Sequence, residues 1–270
     1  MTRAADPQAT PGSAVPVDRM PGHWLLASLG KRVLRPGGRE LTAQLLDALA
    51  IGPADHVVEL APGLGSTTRL VLERTPASYV GVDRDPDAAG LVAAGLDGPN
   101  RSVVHASAAA TGLDDACADV AFGEAYLTMQ PASQKARIVA ELARITRPGT
   151  RIGLHEVAFT PDDIGPEAVA AITADLTGSI KVNVTPLTTA GWVELLEGAG
   201  FEVTHRLTAP LRLLEPRRLL ADEGLPGTLR FVSRVARRPA ARRRVLAMRK
   251  AMGANRHHLQ ACGLVAVRGD

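Results

Sequence analysis

The segment Val57-Val58-Glu59-Leu60-Ala61-Pro62-Gly63-Leu64-Gly65-Ser66-Thr67-Thr68 joins a short apolar run to a Gly-x-Gly pair and a hydroxyl cluster. Glycine lets the backbone turn sharply and approach a ligand where a Cβ would collide. The hydroxyls that follow suit the N-cap of a helix, and a helix N-terminus set against a ligand favours anionic groups there. The third glycine of a dinucleotide fingerprint is missing, with Thr68 in its place, so an ordinary dinucleotide site is not indicated. Gly-x-Gly alone also marks plain tight turns. Asp83 argues for more than a turn: it closes Val80-Gly81-Val82-Asp83, twenty positions after Gly63. A carboxylate at the tip of a second strand can accept hydrogen bonds from both hydroxyls of a ribose. Glu59, inside the first run, adds a carboxylate that either meets the amino group of a zwitterionic ligand or steadies the glycine loop.

Glu59-Leu60-Ala61-Pro62-Gly63-Leu64-Gly65 resembles the first motif of the class I S-adenosylmethionine-dependent methyltransferases, and Val80-Gly81-Val82-Asp83 resembles their second. Val104-His105-Ala106-Ser107-Ala108 stands where that family carries Gly-Asp-Ala, with Ser107 replacing the acid that holds the adenine amine. A hydroxyl accepts the same hydrogen bond without charge assistance. Asp119-Val120-Ala121-Phe122, followed by Glu124, is similar to the family's fourth strand, and Arg147-Pro148-Gly149 to the lead into its fifth. The resemblance covers residues 40–157. It implies a Rossmann-like α/β fold with a seven-stranded methyltransferase sheet, the last strand antiparallel, and helical cap insertions. It also implies S-adenosyl-L-methionine as cofactor, with Gly63 and Gly65 along its amino-acid end, Asp83 on the ribose and Ser107 near the adenine. Glu59, Ala61, Arg84, Ala108 and Glu124 complete the implied cofactor set, and no metal is required.

Direct displacement at a methyl carbon needs alignment of nucleophile and sulfonium, exclusion of water and in some cases a base. In the implied fold His23, Glu124, Tyr126 and His155 fall near the sheet's C-terminal rim or under an N-terminal cap. They are the candidate catalytic groups, although a structural role is the stronger expectation for each. His155 and Glu156 are also placed to pair with backbone or arginine. Tyr126 and Met129 suit a pocket wall, and Trp24 is either a lid over the cofactor or plain packing.

The elements that must position these residues follow from apolar spacing. Leu25, Leu26, Leu29 and Val33 share a helical face, predicting a helix over 23–34 within an N-terminal cap of 23–39. Leu41, Leu45, Leu46 and Leu49 predict a second helix that stops near Gly52 and Pro53. Strands are expected over 56–60, 79–83, 102–105, 118–124 and 151–157, with helices over 67–74, 86–94 and 133–145 between them. Such alternation implies βαβ crossovers and a mostly parallel sheet covered on both faces. The stretch 160–187, with a helix over 166–176, reads as a cap insertion. A helix over 189–198 and a strand over 201–208 follow, then a second cap insertion over 211–260 with two or more helices, and a last strand over 263–268. The chain reads as a disordered lead (1–22) followed by one methyltransferase domain (23–270).

At 270 residues and 46% hydrophobic content the chain can bury the core of such a domain. Its apolar runs break well before eighteen residues, so no membrane span is expected. The lead has no continuous apolar segment of the secretory kind, which points to a cytoplasmic protein. Cys117 and Cys262 stand alone, without zinc-ligand or disulfide spacing. The net charge of +3 is unevenly spread: 224–269 has no Asp or Glu but carries eleven Arg and Lys residues, Arg242, Arg243 and Arg244 among them. That run is either a solvated helix face or a surface for nucleic acid, anionic lipid or an acidic small molecule.

Three functions follow. The first is methyl transfer to a small-molecule acceptor bound between the N-terminal cap and the two insertions. The second is an RNA or DNA methyltransferase using the basic region, against which β-strand four runs into Glu124-Ala125-Tyr126-Leu127 rather than a base-holding Asn/Asp-Pro-Pro-Tyr. Aromatic content of 3% also leaves no stacking platform for single strands. The third is a non-catalytic S-adenosylmethionine-binding protein.

Overall fold

The structure, a computed structural model, describes residues 11, 12 and 14–269. The short apolar runs become the strands β1 (His56–Leu60), β2 (Ser78–Asp83), β3 (Arg101–His105), β4 (Ala118–Glu124) and β5 (Thr146–Phe159). After them come the two-residue β6 (Leu187–Thr188), then β7 (Phe201–Pro210) and β8 (Leu259–Arg268). The main sheet runs β3-β2-β1-β4-β5-β8-β7, with β6 on the end of β5. β1 to β5 pair in parallel, whereas β8 lies antiparallel to both β5 and β7. The seven-stranded sheet with an antiparallel last strand is therefore present, and β6 is a small addition to it.

The two-residue period of β1 sends Val57 and Val58 to opposite faces, each into its own core. On one face α2 (Gly38–Leu49) buries Leu45, Leu46 and Leu49 with Val57, Phe122 and Val265. On the other, α5 (Ala132–Ile145) and α7 (Thr189–Glu197) bury Val139, Leu142, Trp192 and Leu196 with Val58 and Leu60. Each leucine so buried contributes roughly 1.5–3 kcal/mol relative to exposure. The crossovers after β1 and β2 carry α3 (Ser66–Leu72) and α4 (Pro86–Ala93). Strand order reverses between β1 and β4, and that switch point is where open α/β sheets bind ligands.

The remaining helices build the cap. They are α1 (Gly22–Ser28), α6 (Pro166–Ile180), α8 (Pro216–Arg237, broken at Gly224) and α9 (Pro239–Ala254). Leu25, Leu26 and Leu29 meet Leu219, Phe231, Val245 and Met248 in a separate apolar cluster.

Two expectations change here. The helix expected over 23–34 stops at Ser28, because Gly30 takes a left-handed φ of +98° and the chain beyond it is captured by α8. Glu223 Oε1 accepts the backbone N–H groups of Arg32 and Val33 at 3.0 and 2.9 Å, and the buried Lys31 ammonium lies 3.5 Å from Glu223 and 3.7 Å from Asp222. Residues 30–37 thus form a strap rather than helix. The disordered lead was expected over 1–22, of which 1–10 and 13 lie outside the described residues. Residues 14–20 are folded back in turns: Met20 is buried, and the buried Arg244 guanidinium donates to the carbonyls of Val17 and Met20 at 2.6 Å each.

Candidate functional site

Three alternate left-handed residues shape the turn after β1: Ala61 (φ +55°), Gly63 (φ +58°) and Gly65 (φ +67°). The expected N-cap hydroxyls are used otherwise. Gly65 itself is the N-cap of α3 and receives no side-chain bond. Ser66 donates to the Arg32 carbonyl, Thr67 to Glu124, and Thr68 to Glu59 at 2.7 Å. The hydroxyls therefore tie the turn to two buried carboxylates and the strap instead of closing the helix end.

Asp83, at the tip of β2, is buried and grips the same turn. Its Oδ2 accepts the Gly63 N–H at 3.1 Å and its Oδ1 the Asp85 N–H at 2.9 Å. Burial raises its pKa despite those two donors. Each carboxylate oxygen keeps acceptor capacity beyond one N–H, which a ligand diol can use. Glu59 Oε2 accepts both Thr68 Oγ1 and Tyr79 Oη, the latter at 2.6 Å, and burial pushes this carboxyl up to about 7. Of its two expected roles, the contacts within the chain are those of a brace on the glycine turn.

Glu124 ends β4 at the centre of a denser network. Oε1 accepts Thr42 Oγ1 and faces His155 Nδ1, both at 2.6 Å; Oε2 accepts Thr67 and lies 3.3 Å from Arg35 Nε. Burial acts to raise this carboxyl, but the Arg35 charge and the bonds from His155 and Thr42 outweigh it and hold it at about 2. The other His155 nitrogen lies 2.6 Å from the Pro36 carbonyl. With both ring nitrogens engaged, His155 is fully buried and absent from the cavity wall. Its contacts are those of a brace that holds the strap against β4 and β5. Glu156 is likewise structural, accepting the N–H groups of Tyr126, Leu127 and Thr128 and so capping the short 3-10 turn after β4.

Above the strand ends lies a cavity of about 620 Å³. Its floor includes Glu59, Ala61, Gly63, Asp83, Arg84, Ser107, Ala108 and Glu124, eight of the nine residues expected from the sequence. Gly65 is not on the wall. A Cβ there would meet Val92 at 3.4 Å, so Gly65 serves the turn from behind. Ser107 Oγ accepts the Ala109 N–H at 3.2 Å and stays free to make a further bond. Tyr126 and Gln134 reach the cavity with Oη and Oε1 buried and without partners. A buried polar atom without a partner costs about 1–3 kcal/mol, which a bound ligand removes. His23 and Trp24 close one side, their rings 4.6 Å apart, and burial holds the His23 imidazole at about 4, hence neutral near pH 7. The cap side of the wall adds Leu26, Leu34, Leu176, Ile180, Met248 and Met252, together with the polar Arg32 and Asn183.

Arg35, Thr42 and Gln134 were not legible as site residues. Each acquires its role only when the strap, α2 and α5 fold over the sheet, and no motif marks them in the sequence.

The donor set fits S-adenosylmethionine: a carboxylate at the ribose position, a Cβ-free turn at Gly63 and two polar atoms awaiting partners. A sequence profile described as a methyltransferase domain matches residues 57–149. An uncharacterised protein of Haemophilus influenzae is 30% identical over 215 residues, covering 78% of this chain and 84% of its own. Among solved structures, the Haemonchus contortus phosphoethanolamine N-methyltransferase 2, in complex with phosphomonomethylethanolamine and S-adenosylhomocysteine, superposes with a TM-score of 0.69 at 12% identity. That match covers 94% of this chain and 58% of the nematode enzyme. The [4+2]-cyclase SpnF superposes with a TM-score of 0.66 at 16% identity over 99% of both chains. With the motif geometry, the sheet topology and the profile in agreement, this chain belongs to the class I S-adenosylmethionine-dependent methyltransferases.

Proposed function

We propose that this methyltransferase acts on a small-molecule acceptor with a largely apolar body, held between the cofactor and the cap. The observation that carries this reading is the composition of the cavity: polar groups converge on its floor at the strand ends, while the cap contributes Leu26, Leu34, Leu176, Ile180, Met248 and Met252 above it, alongside the polar Arg32 of the strap. Bound S-adenosylmethionine supplies an electrophilic sulfonium methyl. In this reading Asp83 holds the ribose, the Gly63 turn admits the amino-acid end, and Ser107 with Ala108 borders the adenine. The cap excludes water from the reacting groups, which favours charge-neutralising displacement. His23, neutral near pH 7, offers a ring-nitrogen lone pair to the acceptor. At about 4 its basicity is too low for an efficient general base at neutral pH, so it orients a hydroxyl or amine rather than abstracting its proton.

The test is turnover to S-adenosylhomocysteine by the purified protein across a panel of apolar and polar small molecules. Turnover confined to acceptors with an aliphatic or aromatic body supports the reading, and preference for a nucleic acid or for small polar amines overturns it. Because the SpnF fold match carries a cyclase name, acceptor consumption without S-adenosylhomocysteine release is the second outcome that overturns it.

A further inference from the structure

Five large apolar side chains are exposed among the described residues: Leu220, Leu225, Leu229, Val232 and Leu246. All five lie on α8 and α9. Leu225, Leu229 and Val232, at 61%, 60% and 51% exposure, recur at i, i+4 and i+7 and so form one stripe along the distal half of α8. Leu246 of α9 is 54% exposed. Single exposed leucines are ordinary, but their confinement to one helix pair is not.

The same pair carries the basic run. Arg230, Arg234, Arg237, Arg238, Arg242 and Arg243 are exposed, and the ion pairs of this region, among the described residues, stop at Arg218. Arg244 is set apart from them, buried against the carbonyls of Val17 and Met20. The exposed guanidinium groups therefore stay uncompensated, since 224–269 contains no Asp or Glu.

We propose that the exposed face of α8 and α9 docks on an anionic lipid bilayer, with the leucine stripe entering the headgroup boundary and the arginines on the acidic headgroups. Charge complementarity requires an anionic partner, and the aliphatic stripe requires one that also offers hydrocarbon. Nucleic acid satisfies the arginines alone. A second copy of the chain related by a twofold axis would bring like-charged arginines face to face. No helix among the described residues is long and apolar enough to cross a membrane, so the contact is interfacial. The inference stands on the surface alone and is independent of the acceptor.

The full chain is floated with vesicles of phosphatidylcholine alone and of phosphatidylcholine with phosphatidylglycerol. The expected result is flotation with the anionic vesicles only, weakened by salt. The pair Leu225→Gln and Leu229→Gln leaves charge unchanged and lowers vesicle affinity about tenfold or more. Arg237→Gln with Arg238→Gln lowers it by a similar factor and reduces its salt dependence. Cofactor binding by calorimetry, unchanged in both pairs, confirms that they are folded. Absence of flotation with anionic vesicles overturns the proposal. So does a leucine pair that floats like the wild type, which would leave a purely electrostatic surface suited to nucleic acid. A concentration-dependent dimer in light scattering, abolished by the leucine pair, would assign the stripe to a second copy and also overturn it.

Discussion

The Asp83 carboxylate accepts the backbone N–H of Gly63 at 3.1 Å, so the residue expected to hold the ribose also fixes the turn expected to admit the rest of the cofactor. One side chain couples the ends of β1 and β2, and its loss acts on both. Asp83→Ala is expected to weaken binding of S-adenosylhomocysteine by about 1.5–3 kcal/mol in calorimetry, the range for hydrogen bonds to a charged group. Unchanged affinity would remove Asp83 from the cofactor site.

Ser107→Ala is expected to cost less than Asp83→Ala, roughly 0.5–1.5 kcal/mol, because its hydroxyl makes neutral hydrogen bonds only. The same calorimetric series measures it. An equal or greater loss would mean that the adenine lies elsewhere.

Glu124 and Glu59 are expected to shape stability against pH in opposite directions. Glu124 sits at about 2 in the folded chain against an ordinary 4.5, so its contribution is fully present above pH 4.5 and fades as pH falls toward 2. Glu59 sits at about 7, so between pH 4.5 and 7 the folded state binds more protons than the unfolded one and stability falls as pH rises. Thermal melts of Glu59→Gln are therefore expected to flatten the wild-type profile between pH 4.5 and 7. Glu124→Ala leaves Arg35 buried without its partner and is expected to cost about 3–5 kcal/mol in denaturant. A Glu59→Gln profile parallel to the wild type would contradict the first assignment.

The arginine run is expected to divide by burial. Arg242→Gln and Arg243→Gln are exposed and should change stability by less than about 0.5 kcal/mol. Arg244→Gln loses its bonds to Val17 and Met20 and should cost about 1–3 kcal/mol. Equal effects across the three in urea titrations would show that the segment before α1 is not anchored through Arg244.

Deleting residues 1–10 is expected to preserve turnover. Deleting through Leu34 removes His23, Trp24 and Lys31 and leaves the Asp222 carboxylate buried without its ammonium, so turnover should be abolished. Full activity in the longer deletion would refute the lid. His23→Ala separates positioning from cover: acceptor KM should rise while cofactor affinity stays constant.

Much of this protein was legible without its fold. Strand and helix periods are local, set by side-chain spacing and by the φ that glycine alone adopts freely. Hence β1 and β4 fell on their expected residues, and Gly63 and Asp83 marked the end of the sheet where the cavity opens. The tertiary structure decided what depends on residues far apart in the chain. Glu124 could be read as a cofactor ligand, but Arg35, Thr42, Thr67 and His155 converge on it from four other parts of the chain. The helix expected over 23–34 ended early because Glu223, 190 residues beyond Val33, captured its backbone. Arg244 looks like its neighbours Arg242 and Arg243 in sequence, and only the packing of α9 turned one guanidinium inward while leaving the others exposed. Local pattern specifies which surfaces each element offers; which of them meet is a property of the assembled core, where burial and charge compensation are settled together.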